Sequence, residues 1–307
     1  MKLNELVSLR NSLQEALDLA SLKEIVYQNY NKLITVANEA DEYFCKHIQN
    51  VAEEHLTVYQ NSLLDKDKVE EIIKELNLNI NHLTKKFFTK NYQNECFVFD
   101  VEFMKNVKKI NLVDGSEQVL LSRIFLHNSW KYPALEIGCR EGQWTKHLVG
   151  FDPLYIADHF EEFLNTASAQ FLPQYQARLR TYKINNFSIE NLPKNQFGFI
   201  FSCDYFNYLS LDTIKQYLIQ SMQWLRPGGT LLFTYNNADL AVSAGLCDSY
   251  FMSYVPKSML APLAESLGFE ILNCYDFLPS TSWIELKKPG ELHTVKAHQA
   301  LGEIKHY

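Results

Sequence analysis

The stretch Ala134-Leu135-Glu136-Ile137-Gly138-Cys139-Arg140-Glu141-Gly142 constrains this 307-residue chain more than any other. An apolar run ends in an acid, and glycines follow at positions 138 and 142. A second acid, Asp158, closes the next apolar run, Leu154-Tyr155-Ile156-Ala157. The two acids are 158 − 136 = 22 residues apart, which leaves room for a glycine turn, a short helix and a second strand. A parallel α/β sheet presents a nucleoside in this way. Glycine lets backbone approach a ligand where a Cβ would collide, and a carboxylate at the tip of the second strand can accept from both ribose hydroxyls.

From Trp130 onward strand and helix patterns alternate, which predicts a parallel sheet with helices on both faces. Strands are expected at 133–138, 154–158, 180–185, 197–203, 229–235, 269–275 and 282–287. The last two have no helix between them, so an antiparallel hairpin should end an otherwise parallel sheet. The tail from 291, with His293, His298 and His306, is polar and reads as solvated.

Glycine and proline mark the domain boundary. The first glycine is Gly115 and the first proline Pro133, so nothing in residues 1–114 breaks a helix by composition. Leu6, Leu13, Leu17, Ala20, Leu33, Ala37, Phe44, Ile48 and Val51 recur at helical spacing. Asp67 and Glu70 have capping-box spacing, and Val69, Ile72, Ile73 and Leu76 form the stripe expected to follow. Residues 1–92 are therefore expected to be an all-α domain, burying its stripes in a helical hairpin, an oligomer or a partner. In 93–129 the run Cys96-Phe97-Val98-Phe99-Asp100-Val101 has strand-like content and Val113-Asp114-Gly115-Ser116 reads as a turn. A connecting β-hairpin or an access lid is expected there.

A net charge of −7 argues against a broad basic surface for nucleic acid. The six cysteines are scattered, with no CxxC pair and no Cys/His cluster, so no metal site is expected. No apolar run is long enough to span a membrane, and no signal-peptide core is present. A cytoplasmic protein with reduced thiols is the expectation.

Three cofactor classes use a glycine turn. A nicotinamide dinucleotide site wants G-x-G-x-x-G, but Gly138 and Gly142 have another spacing and Trp144 stands where a further glycine would. Tyr254-Val255-Pro256-Lys257 is one residue short of a Tyr-x-x-x-Lys pair. No G-x-x-x-x-G-K-[ST] run exists. The third class is S-adenosylmethionine, and here the chain from 130 to 290 resembles the class I (Rossmann-like) S-adenosylmethionine-dependent methyltransferases. Leu135 to Gly142 is similar to their first motif, E/D-x-G-x-G-x-G, and Asp158 stands at their ribose-binding acid. Gln196-Phe197-Gly198-Phe199-Ile200-Phe201-Ser202 resembles their fourth strand. Leu225-Arg226-Pro227-Gly228-Gly229-Thr230-Leu231 resembles their turn into the fifth.

The resemblance implies a Rossmann-like, mostly parallel seven-stranded sheet. It places Glu136, Gly138, Cys139, Arg140, Gly142, Asp158, His159, Asn186 and Ser202 around the cofactor. Two positions depart from the pattern. Arg140 replaces the middle glycine, and can fold outward, reach the cofactor carboxylate as a charge-assisted donor, or block the site. The acid after the third strand is missing, with Asn185 and Asn186 near its place; an asparagine oxygen still accepts from an amino group.

Asp204 and Tyr205, after the fourth strand, are the candidates for orienting or deprotonating a methyl acceptor and stacking on it. Tyr235, Asn236 and Tyr254 are candidate pocket walls. Methyl transfer from an activated sulfonium is served largely by positioning, so no catalytic triad is expected. No Asn/Asp-Pro-Pro-Tyr/Phe follows the fourth strand and no Pro-Cys exists, which with the acidic balance favours a small-molecule or protein acceptor. The expectation is methyl transfer to O or N. The alternative is a non-catalytic scaffold of the same fold, working through its N-terminal helices.

Overall fold

A computed structural model of the protein describes residues 2–15, 17–18, 66–90, 96–106, 116–249, 251–277 and 281–292. The chain divides into two compact units, Met1–Lys86 and Phe87–Tyr307.

In the first unit residues 3–15 are helical, and Leu3, Leu6 and Val7 are buried at one-turn spacing. The helix Lys66–Lys90 carries Asp67 in its first turn, where a carboxylate meets the positive end of the helix dipole. Among its described side chains Leu76 and Ile80 are buried. Ile72, expected in the stripe, is 44 % exposed, so the buried face begins one turn later than the apolar pattern suggests. The expected helical positions from Ala20 to Val51 lie outside the described residues.

The second unit is built on seven strands: β1 Ala134–Ile137, β2 Leu154–Asp158, β3 Arg180–Lys183, β4 Phe197–Ser202, β5 Leu225–Tyr235, β6 Glu270–Phe277 and β7 Thr281–Lys287. Their order is β3-β2-β1-β4-β5-β7-β6. The first five pair in parallel, and β7 runs antiparallel between β5 and β6. Every residue of β1 and β4 is buried, which explains their continuous apolar runs: helices cover both faces. One core contains Ile137, Ile200, Phe206 and Phe233; the other contains Leu154, Phe199, Phe201 and Trp283. β5 begins four residues earlier than expected, through Arg226-Pro227-Gly228-Gly229, because Leu225 pairs with Phe197 before a register shift.

Strand order reverses between β1 and β4, since β2 and β3 are laid to one side and β5 to the other. The carboxyl ends of strands open a crevice at such a switch point. The helix Leu211–Trp224 sends Ile214, Tyr217, Leu218, Ser221 and Trp224 into the core. Ser210 caps it by accepting from the Thr213 N–H at 3.2 Å, worth about 1 kcal/mol. The helix Ser116–His127 is pinned to the sheet by a fully buried acid on β7. Glu285 accepts from Arg123 Nε at 2.9 Å and Nη2 at 3.0 Å, from Asn273 at 3.0 Å, and pairs with His127.

The strand expected from Cys96 to Val101 is not formed. Cys96–Phe99 is a 3-10 turn and Val101–Asn106 a short helix, with Asp100 Oδ1 accepting from the Phe103 N–H at 3.0 Å. Val98 and Met104 enter the same core as Ile137 and Tyr205. A short apolar run is compatible with a buried helical turn as well as a strand, and here the Asp cap decides. No helix among the described residues is long and apolar enough to cross a membrane.

Candidate functional site

The switch-point crevice is lined by the ends of β1, β2 and β4. After β1 the chain turns sharply: Gly138 N–H donates to Ala157 O at 2.8 Å and Cys139 N–H to the same oxygen at 3.2 Å. Gly138 and Gly142 have φ of +72° and +85°, which glycine adopts without strain. What approaches them is the protein itself. A Cβ on Gly138 would lie 2.6–2.8 Å from the Tyr205 ring, and one on Gly142 would lie 2.9 Å from Ala167. The close approach expected for a ligand is, at Gly142, a packing of turn against the helix Glu161–Ala169. Gln170 adds a hydrogen bond to Glu141 O there.

Asp158 ends β2 and is buried. Its Oδ2 accepts from the Arg140 N–H at 2.9 Å and its Oδ1 from the Phe160 N–H at 3.1 Å. Each carboxylate oxygen has a second lone pair, so acceptor capacity remains. Burial raises the Asp158 carboxyl to about 6, against the two N–H bonds and the Arg140 charge, which lower it. Glu136 accepts from Thr145 Oγ1 at 2.6 Å. Burial pushes its carboxyl up to about 8, the Thr145 bond pulls it down and Asp158 pushes it up further.

Asp204 follows β4 with φ +54°, and its N–H donates to Thr234 Oγ1 at 2.7 Å. Thr234 in turn donates to Asn207 Oδ1 at 2.8 Å. Asp204 Oδ1 and Asn207 Nδ2 are buried without a partner. Burial raises the Asp204 carboxyl, with the Arg140 charge opposing. Arg140 has turned inward: it is 5 % exposed, its φ is +49°, and its Nη2 donates to the main-chain oxygen of Asp204. Its Nε has no partner. Two buried carboxyls, Asp158 and Asp204, thus feel one buried guanidinium, and Glu136 is buried within reach of the Asp158 charge.

Tyr205 is buried over Gly138, and its hydroxyl touches His159 Nε2 and Tyr217 OH. Burial lowers the His159 imidazole to about 4. Phe99 packs edge-on against His159 with ring centroids 4.7 Å apart, and against Phe187 at 5.4 Å, while remaining 48 % exposed.

Several expected residues also make contacts within the frame. Ser202 donates to Ile137 O at 2.7 Å, tying β4 to β1. Cys139 is buried, and burial raises its thiol well above the usual range. Asn186 sits exposed in the turn bridged by Asn185 and Ser188, with φ +47°. Asn236 is fully buried; its Nδ2 donates to Ser243 O and Ser253 O, each at 3.1 Å, and so braces loops, while its Oδ1 is buried without a partner. Tyr235 and Tyr254 are buried, and Tyr235 OH has no partner. Trp144 packs on Phe201 in the opposite core. Phe99, Phe187, Asn207, Tyr217 and Thr234 were not legible as site residues, because only the tertiary turns bring them to the strand ends.

Residues 135–233 match the methyltransferase domain family model. Among solved structures, an S-adenosylmethionine-dependent methyltransferase from Clostridium acetobutylicum is 16 % identical, with TM-score 0.49, covering 61 % of this chain and 96 % of that one. One from Mesorhizobium loti is 14 % identical with TM-score 0.46, covering 57 % and 99 %. Geranyl diphosphate C-methyltransferase from Streptomyces coelicolor is 8 % identical with TM-score 0.48, covering 56 % and 80 %. No curated protein matches the chain. The family match over residues 135–233 runs from β1 into β5, and over that stretch the chain is similar to the methyltransferase domain family.

Proposed function

We propose that this protein is an S-adenosylmethionine-dependent methyltransferase acting on an O or N atom of a small molecule or protein. One observation carries this reading. Glu136, Asp158 and Asp204 are all buried at one set of strand ends, the Arg140 guanidinium acts on Asp158 and Asp204, and burial holds Glu136 and Asp158 up at about 8 and 6. Such a site is short of positive charge, and a bound cation lowers those carboxyls and is held by them. A sulfonium with an ammonium group has that character, so the residues fit the cofactor.

S-adenosylmethionine supplies, when bound, a methyl group already activated on positively charged sulfur. The chain's part is to hold and exclude. Asp158, with lone pairs remaining, would take the ribose hydroxyls. The ring of Phe99 would cover the site with His159 and Phe187. Asp204 Oδ1, buried and without a partner, can orient an acceptor hydroxyl or amine, and its raised carboxyl suits it to take the proton released. Cytoplasmic location, and assembly through residues 1–92, belong to the same proposal.

Calorimetric titration of S-adenosylmethionine and S-adenosylhomocysteine tests this. Wild type should bind both. Asp158→Ala should lose affinity by about two orders of magnitude, as expected for two hydrogen bonds to a charged group. A folded wild type that binds neither ligand overturns the proposal. The second reading, a scaffold without activity, is favoured by one observation, the inward guanidinium of Arg140.

A further inference from the structure

We propose that Arg140 is a latch on the cofactor site, held shut by the main-chain oxygen of Asp204 and released when the cofactor binds. The inference rests on the methyltransferase reading above and concerns the control of that same site.

Arg140 is placed by its backbone. Its N–H is fixed on Asp158 Oδ2 at 2.9 Å, at a φ of +49° that a non-glycine residue occupies at a cost of about 1 kcal/mol. From there the side chain turns into the protein until 5 % of the residue is exposed. A guanidinium offers five N–H donors in a planar fork. Here Nη2 reaches Asp204 O while Nε is buried without a partner. As a packing element this is poor, since a buried charge with a donor unsatisfied is less favourable than an apolar side chain of similar volume. As a reversible closure it is well suited. The side chain is long, it is held by one hydrogen bond to backbone, and its main-chain anchor on Asp158 does not depend on where the guanidinium goes.

Competition follows from charge. The acceptors that give the crevice its affinity for a cation are Asp158, Asp204 and the Asp204 main-chain oxygen, and Arg140 already presents a cation to all three. A sulfonium or ammonium ligand must displace it. Apparent affinity is then the intrinsic affinity reduced by the fraction of molecules with the latch open. Removing the guanidinium should raise affinity. A true cofactor contact would behave in the opposite way.

The test is titration of S-adenosylhomocysteine and S-adenosylmethionine into wild type, Arg140→Gly and Arg140→Ala, with unfolding temperature as a folding control. Glycine suits the left-handed backbone, so that variant should fold; alanine removes the guanidinium without adding backbone freedom. The latch predicts binding tighter by about tenfold or more in both variants, the scale of a charge-assisted hydrogen bond. It also predicts that adding Asp158→Ala to Arg140→Gly abolishes the gain. Equal or weaker binding in the folded variants overturns the latch and leaves the methyltransferase reading standing. Binding by neither wild type nor variants overturns both.

Discussion

The Tyr205 hydroxyl lies 2.7 Å from His159 Nε2, across 205 − 159 = 46 residues of chain, and joins the tip of β2 to the turn after β4. Tyr217 extends the bond at 2.8 Å, so three buried polar groups from three elements share one line. The His159 ring is held neutral, with burial lowering it to about 4. Its ordinary value is about 6.5, so below that value the unfolded chain takes up a proton that the folded one refuses. Wild type should therefore lose stability as pH falls from about 6.5 to about 4, by roughly 2–3 kcal/mol from this group. His159→Gln should show a flatter stability profile across that window in urea unfolding. Parallel profiles would show that His159 does not titrate in this way.

Glu136 works with the opposite sign. Its carboxyl stands at about 8 in the folded protein, against about 4.3 when unfolded. Between those values the folded state keeps a proton that the unfolded state gives up, so burying Glu136 costs stability increasingly as pH rises. Glu136→Gln should stabilise the ligand-free protein, by little at pH 5 and by a few kcal/mol, to order of magnitude, at pH 8. The measurement is the difference in unfolding free energy at pH 5, 7 and 8.5. A constant difference would contradict the assignment.

Gly138→Ala should destabilise by about 2 kcal/mol or more. Its φ of +72° disfavours any side chain, and the new methyl would meet the Tyr205 ring at 2.6–2.8 Å. Tyr205→Ala in the same chain should recover the steric part of that loss and leave the backbone part. A double-mutant cycle reads the two apart.

Glu285→Ala should cost about 3 kcal/mol, because it leaves the Arg123 guanidinium and the His127 ring facing a buried void. Burial raises the Glu285 carboxyl, but the hydrogen bonds of His127 and Asn273 and the Arg123 charge outweigh it and hold it below its ordinary value. The stability it brings is therefore lost as pH falls through the carboxylate range. Hydrogen exchange should show the helix Ser116–His127 losing protection first. Loss spread evenly over the sheet would argue against the anchoring role.

Much of the sheet was legible because a buried parallel strand has no polar face: Phe197 to Ser202 announces itself by composition. The segment 96–106 was not, since Cys96-Phe97-Val98-Phe99 is too short for its period to separate strand from helical turn, and the cap at Asp100 decided it. In the site, the glycines at 138 and 142 point from sequence to a close approach by a ligand. Glycine says that something comes near, but not what, and here the visitors are Tyr205 and Ala167. Asp158 and Asp204 were legible from their places at strand ends. Arg140 was legible only as a departure, because whether a side chain folds in or out depends on the turn dihedral, which sequence does not fix.

The place of β7 bears on how this protein is made. β5 is complete at Tyr235, but its outer edge pairs with β7, whose last residue is Lys287. While the chain emerges from the ribosome, roughly fifty residues must follow β5 before that edge is covered. In that interval the apolar strand Leu231-Leu232-Phe233 offers bare N–H and C=O groups to any neighbouring nascent chain. Quality control during synthesis would meet this domain at β5, and a ribosome stalled before residue 281 would release a sheet with an open flank.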